Sequence, residues 1–201
     1  MKPRIEPLTA EELDADAQAA FRAGMPGAAD RFLSDAPDAP PIPTVLGLLL
    51  HHPRVAGPWL TYNNTLLGKP TIEPRQRELL IVRIAWHARA EYEYLQHVRL
   101  ALQLGVTDAE IEAVTRGPDA GTWSPIEADL LRAADELFAD QCISGPTWAR
   151  LSEHFDTAQM MEIAFVVGTY LCLAFVLNSA GVQLDEDLDP SIAPAIPQRE
   201  D

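Results

Sequence analysis

Helix-start signals recur along this sequence, and strand signals are nearly absent. Thr9-Ala10-Glu11-Glu12 and Thr107-Asp108-Ala109-Glu110 each place a hydroxyl three residues before a glutamate, the reciprocal pattern of a capping box. Ser124-Pro125-Ile126-Glu127 adds a proline at the first helical position. Behind it, Leu130, Leu131, Ala134 and Leu137 return at helical spacing. Gly105 and Gly181 follow apolar helical stretches and read as C-caps. Together these signals predict helices near 9–23, 44–51, 53–68, 74–104 with one break, 107–115, 124–140, 145–154 and 157–180. The expected fold class is all-α.

Between these stretches, Ala36-Pro37-Asp38-Ala39-Pro40-Pro41-Ile42-Pro43 is a loop, because proline lacks an N–H and biases its predecessor away from helix. From Val182 onward the chain is acidic and carries Pro190, Pro194 and Pro197, so 182–201 is expected to be an extended tail unless a neighbour holds it. The 47% hydrophobic content of 201 residues is enough for one cored domain, expected over 1–181. The run Met160 to Asn178 is long enough to suggest a transmembrane segment. It contains Glu162, Gly168, Thr169, Tyr170 and Asn178 and lacks basic flanks, which favours a helix buried in the core or at a subunit interface. Such a helix needs partners on several sides, so a homo-oligomer is expected, with this helix or the Pro-rich loop near the interface.

Charge and cysteine usage narrow the partners. Against 30 Asp+Glu stand 15 Lys+Arg, and a net charge of −15 repels phosphate backbones and anionic lipid, so neither nucleic acid nor a membrane is an expected partner. Cys142 and Cys172 make no ligand or redox spacing and read as reduced, inert thiols. Met1-Lys2-Pro3-Arg4 runs straight into polar sequence without a basic and apolar leader, and the expected location is cytoplasmic.

The chemistry-bearing stretch is Glu73 to Ala101. Glu78 and Arg83 stand in or beside an apolar run, and Glu91, Glu93 and His97 follow among Tyr92 and Tyr94. Each residue turns a helix by about 100°, so Glu93 and His97 share a face, which Ala90 and Trp86 extend backwards. An anion one turn before an imidazole fixes its tautomer and favours its charged form, which makes an acid/base unit in an apolar pocket. On a solvated face the same pair is only a weak salt bridge, and spacing alone leaves both readings open. No further ligand motif completes a metal site around Glu93 and His97, so no metal is expected. His51 and His52 are adjacent and cannot share a helix face, His87 has no such company, and His154 falls at a helix end. Met160, Met161, Trp59, Trp123 and Trp148 read as packing.

The run Arg77-Glu78-Leu79, the apolar helix after it, and Glu91-Tyr92-Glu93-Tyr94-Leu95-Gln96-His97 with Ala101 resembles the core motif of the carboxymuconolactone decarboxylase family. Leu104-Gly105-Val106-Thr107-Asp108-Ala109-Glu110-Ile111 looks like that family's turn into its next helix. The resemblance is strong over 40–115 and continues more weakly to Gly181-Val182-Gln183-Leu184. It implies an alkylhydroperoxidase-like helical bundle whose subunits associate, often as trimers or hexamers. It also implies that Glu78 and His97 occupy functional positions. In one continuous helix they would lie about five turns and roughly 100° apart. The resemblance implies a break near His87-Ala88-Arg89-Ala90, where the sequence has neither Gly nor Pro. In the alkylhydroperoxidase branch two cysteines precede the motif histidine by seven and four positions; here those positions hold Ala90 and Glu93. A peroxide-reducing pair needs an attacking thiolate and a resolving thiol, so this chain resembles the branch without them.

Resemblance to the decarboxylases implies a cofactor-free lyase, or a related acid/base enzyme, acting on a small anionic substrate: a carboxylated lactone or carbonyl acid. Loss of carbon dioxide leaves a dienolate that must be stabilised and protonated. The expected roles are His97 as proton donor held by Glu93, and Glu78 setting a second protonation state or positioning water. Arg83 or Arg89 would dock the anion, Tyr92 or Tyr94 would donate to its carbonyl, and Trp86 would line the site. The substrate supplies its own electron sink, so no cofactor is expected. The alternatives are an alkylhydroperoxidase- or peroxiredoxin-like antioxidant protein and a non-catalytic oligomeric binding protein.

Overall fold

The structure is a computed structural model describing residues 2–197. Among them there are ten α-helices and no strand: α1 (Ala15–Gly24), α2 (Pro26–Phe32), α3 (Thr44–Leu49), α4 (Pro53–Gly68), α5 (Pro74–His87), α6 (Glu91–Gln103), α7 (Asp108–Arg116), α8 (Pro125–Asp140), α9 (Gly145–Leu151) and α10 (Thr157–Ala180). The chain divides into two compact units. One holds the residues up to Lys69 with Ser179–Glu186, the other Pro70–Asn178 with the residues from Asp187 onward.

The predicted starts at Thr107 and Ser124 are real caps. The Ser124 N–H donates to Glu127 Oε2 at 3.1 Å, and the Thr107 N–H donates to Glu110 Oε2 at 2.8 Å. The Thr9 box instead closes a single 3-10 turn, Ala10–Glu12. Helix α1 begins later because Asp14 caps it, its Oδ1 accepting the Ala17 N–H at 2.8 Å. Helix α2 was not expected. It is seven residues long, includes Gly27 and lacks a side-chain cap, so Pro26 at its first position was its sole signal.

In the first unit, Leu13, Ala17, Phe21, Ala29, Leu46, Leu50, Ala56 and Leu60 form one apolar cluster. Helices α1 and α4 meet closely at Gly24, where a Cβ would stand 2.5 Å from the Leu60 Cβ. The acidic tail is held rather than loose: Asp185 Oδ1 accepts both the N–H and the hydroxyl of Thr44, at 2.8 and 2.5 Å. Further on, Leu188 and Ile196 are buried, and Pro190–Ile192 forms a 3-10 turn. Residues 198–201 of the predicted tail lie outside the described residues.

In the second unit, the expected break separates α5 from α6 at Ala88-Arg89-Ala90. Arg89 takes a left-handed conformation (φ +51°), the work usually given to glycine. The turn is fixed by hydrogen bonds from the Ala88 N–H to the Ile84 carbonyl (2.9 Å) and from the Ala90 N–H to the Ala85 carbonyl (3.0 Å). From α10, the Asn178 amide donates to the Ala88 carbonyl at 3.0 Å. Ala88 and Ala90 pack on Ala174, where small side chains let α10 approach the turn. By length and composition α10 is able to cross a membrane, but half of its most apolar stretch is buried within the chain. Ile163, Val166, Val167, Tyr170, Ala174 and Leu177 are covered; Met161, Phe165, Phe175 and Val176 remain exposed.

The close approach at Gly24 gives a direct check on the first unit. Gly24→Ala gains helix propensity but drives a backbone-anchored methyl into the Leu60 Cβ. It should destabilise the protein by about 1–3 kcal/mol, read as a lowered urea midpoint at unchanged m-value.

Candidate active site

Helix α5 is enclosed from Arg77 to Ala85, nine consecutive buried residues, so its polar side chains must find partners inside the protein. Glu78, fully buried, does so twice. Its Oε1 accepts from Arg77 Nε and Nη2 at 2.9 and 2.6 Å, and its Oε2 lies 2.6 Å from His97 Nδ1. The break at Arg89 turns α6 back along α5 and brings together two residues nineteen apart in sequence. Burial by itself would raise the Glu78 pKa. The charge and hydrogen bond of His97, then those of Arg77, outweigh it and hold the carboxyl below its usual value. An ionised Glu78 has no proton to give, so His97 carries one on Nδ1 and donates it. Nε2 is left as the exchanging nitrogen, without a hydrogen-bond partner among the described residues. The edge of the imidazole contact is made with Tyr170, ring centroids 4.7 Å apart at 81°.

Glu93 does not hold His97, contrary to expectation. It lies on the expected face of α6, but Glu78 has taken Nδ1, and neither Glu93 oxygen has a hydrogen-bond partner among the described residues. A glutamate at the third helical position ordinarily reaches back to the N-cap N–H. Here that N–H, on Ala90, is bonded to Ala85 in the turn. Glu93 is 2% exposed, and burial pushes its pKa well above the ordinary value.

Arg83, expected to dock an anion, is instead committed within the protein. Its Nε and Nη2 grip Asp135 of α8 at 2.6 and 2.9 Å, and Nη1 donates to the carbonyls of Val114 and Thr115 at 2.6 and 3.2 Å. Gly117, at φ +93°, closes the slot; a Cβ there would stand 2.8 Å from Arg83 Nη2. With Arg83 so committed it cannot dock an anion, and of the two candidate arginines Arg89 is the exposed one, at the turn. Tyr94 is buried against Trp86 (centroids 5.6 Å), its hydroxyl without a hydrogen-bond partner among the described residues and its pKa pushed up by burial to about 12. Tyr92 is buried and accepts from the Gln96 amide at 3.3 Å.

His87 has company that the sequence reading missed. Its Nε2 donates to Asp135 Oδ1 at 2.7 Å and its ring stacks on Phe138. Arg83 and His87 stand four apart on one face of α5, and that spacing was the available signal. Exposed His154 lies just past α9, as expected. Among the described residues no group of three His, Cys, Asp or Glu side chains could hold a metal. Cys142 and Cys172 are exposed free thiols, and Ala90 and Glu93 occupy the cap and first turn of α6.

Asp135 supports both Arg83 and His87. Burial would raise its pKa, but the hydrogen bonds of His87 and Arg83 and the guanidinium charge lower it overall. A depressed carboxyl pKa contributes stability above its unfolded value of roughly 4, lost as pH falls through the lower folded value. Asp135→Asn leaves Arg83 buried and underpaired. It should cost about 2–4 kcal/mol at neutral pH, the range for a broken buried pair reduced for partial exposure. That deficit should shrink as wild type and variant are compared at falling pH in chemical denaturation.

Residues 53–136 match the Carboxymuconolactone decarboxylase family. An uncharacterized peroxidase-related protein from Silicibacter sp. TM1040 superposes with a TM-score of 0.66 at 17% identity, covering 73% of this chain and 78% of that one. The alkylhydroperoxidase AhpD core of an uncharacterized peroxidase-related protein from Ralstonia eutropha JMP134 gives 0.72 at 17% identity, covering 92% and 93%. At such identity these likenesses speak for the fold alone. No curated protein matches the sequence. Over residues 53–136 this chain thus matches the carboxymuconolactone decarboxylase family, and its all-helical fold is like that of the AhpD core.

Proposed function

We propose that this chain is an acid/base enzyme, a carboxymuconolactone decarboxylase-like lyase acting on a small carboxylated lactone or carbonyl acid. The supporting observation is the buried Glu78–His97 pair at 2.6 Å. Such a pair fixes the imidazole tautomer and aims one exchangeable nitrogen away from the carboxylate. Decarboxylation of an unsaturated lactone places its electrons on the substrate's own conjugated carbonyl, so no cofactor is needed. The protein's part is to stabilise the dienolate and manage its proton.

A peroxide-reducing function has support from the names of the two fold neighbours. It requires a thiolate and a resolving thiol. In this chain the motif positions hold Ala90 and Glu93, and the two cysteines are exposed elsewhere. The acid/base reading is therefore preferred. We further propose that the exposed face of α10, with Met161, Phe165, Phe175 and Val176, is covered by another copy of the chain. A cytoplasmic setting, with neither nucleic acid nor membrane as partner, suits the net charge of −15.

One activity screen separates the two chemistries. On a panel of carboxylated lactones and β-keto acids, His97→Gln should lose roughly 10²–10⁴-fold in rate, while Cys142→Ser/Cys172→Ser stays within a few-fold of wild type. Full turnover by His97→Gln would end the lyase proposal, and loss of activity in the folded double-serine variant would favour the thiol. Light scattering should give a mass well above the 22.1 kDa of one chain; a monomer would refute self-association.

A further inference from the structure

Glu93 is buried with no hydrogen bond to its carboxyl oxygens among the described residues. The N–H that would cap it is used by the turn. A buried polar group left unsatisfied is destabilising, and such sites persist where function requires them. The buried cations of α5 are engaged elsewhere: Arg77 bonds Glu78 and Arg83 bonds Asp135, while on α6 His97 gives its Nδ1 proton to Glu78; from α10 Tyr170 meets the imidazole edge-on. One turn after Glu93, on the same helix face, His97 keeps Nε2 uncommitted. The first two turns of α6 thus carry an unused carboxyl and an unused imidazole nitrogen on one helix face.

We propose that Glu93 is the catalytic acid of this site, handing its carboxyl proton to the substrate carbon as carbon dioxide leaves. The inference rests on the lyase reading above. The substrate's C–C bond to its carboxylate breaks, and carbon dioxide departs. The electron pair of that bond enters the dienolate and then forms the new C–H bond with the proton of Glu93. The O–H electrons stay on Glu93, which becomes a carboxylate. A solvent proton then restores the carboxyl, passed on through His97 Nε2 one helical turn away. Net, one substrate carboxylate and one proton give one carbon dioxide and the protonated product. The state of Glu93 also selects the substrate class. Burial keeps the carboxyl neutral, so it does not repel a carboxylate-bearing substrate as an ionised glutamate would.

The test reads the carboxyl group, the fold and the reaction separately, using the full chain. Infrared difference spectra of wild type against Glu93→Gln at neutral pH should contain a protonated-carboxyl C=O band that the substitution removes. Glu93→Leu should raise the melting temperature by about 2–6 °C, as expected for removing an unsatisfied buried group. A Glu93 that merely supports the fold would lower it. On a carboxylated unsaturated lactone turned over by wild type, Glu93→Gln should lose roughly 10²–10⁴-fold in kcat with KM within a few-fold, and Glu93→Asp should recover part of the loss. Absence of the carboxyl band, a lowered melting temperature for Glu93→Leu, or full kcat in Glu93→Gln overturns the assignment. If His97→Gln is inactive in the same assay, the lyase reading survives that failure. If wild type turns over no carboxylated lactone, both fall together.

Discussion

A carboxylate that is wholly enclosed must be paired, and pairing Glu78 sets the architecture of the second unit. Arg77 beside it supplies one partner from the same helix, and the other comes from His97. A straight helix would hold His97 about five turns away. The chain must therefore reverse between them, and it does so within three residues, at a left-handed arginine. The hydrogen bonds that finish α5, the Asn178 amide on the Ala88 carbonyl, and the alanines that admit α10 all serve that reversal. The reversal also consumes the Ala90 N–H, so the same turn that completes the Glu78–His97 pair strands Glu93.

The two sides of α5 divide the work. Toward α6 it presents Glu78 to an imidazole with one nitrogen open. Toward α7 and α8 it presents Arg83, closed around by Asp135, two carbonyls and the bare backbone of Gly117. Both are buried ionic groups, yet Glu78 meets a buried imidazole with one nitrogen open, whereas Arg83 has its donors taken up. Saturation of hydrogen-bonding capacity, rather than charge or burial, distinguishes a side chain built into the frame from one available for chemistry.

Helix positions were legible because caps and 3.6-residue spacing are local properties. Pro53, Pro74, Thr107 and Ser124 each stand at or just before a helix start, where a proline or hydroxyl suits the first turn. Helix α2 escaped notice because a seven-residue segment shows under two turns of pattern. The site was harder. The motif residues Glu78, Glu93 and His97 are all buried in the second unit, but their partners were misassigned. Spacing along one helix favoured Glu93–His97, while the actual bond joins α6 to α5. Arg83 and His87 were misread for the same reason: Asp135 lies about fifty residues on, and nothing local announces which carboxylate will fold back.

The enclosure of α5 also bears on how the second unit assembles. Glu78 and Arg83 are five residues apart and point about 140° from one another around the helix axis. Their partners arrive on different helices, α6 and α8. Docking α6 alone would begin to strip water from Arg83 before Asp135 arrives, and docking α8 alone would do so for Glu78 with Arg77 as its one partner. Intermediates with a half-dressed α5 are therefore disfavoured relative both to the open chain and to the finished unit. A polar pair on each flank of one central helix thus acts as a latch for cooperativity, making the collapse of these helices a concerted event rather than a succession of separate dockings.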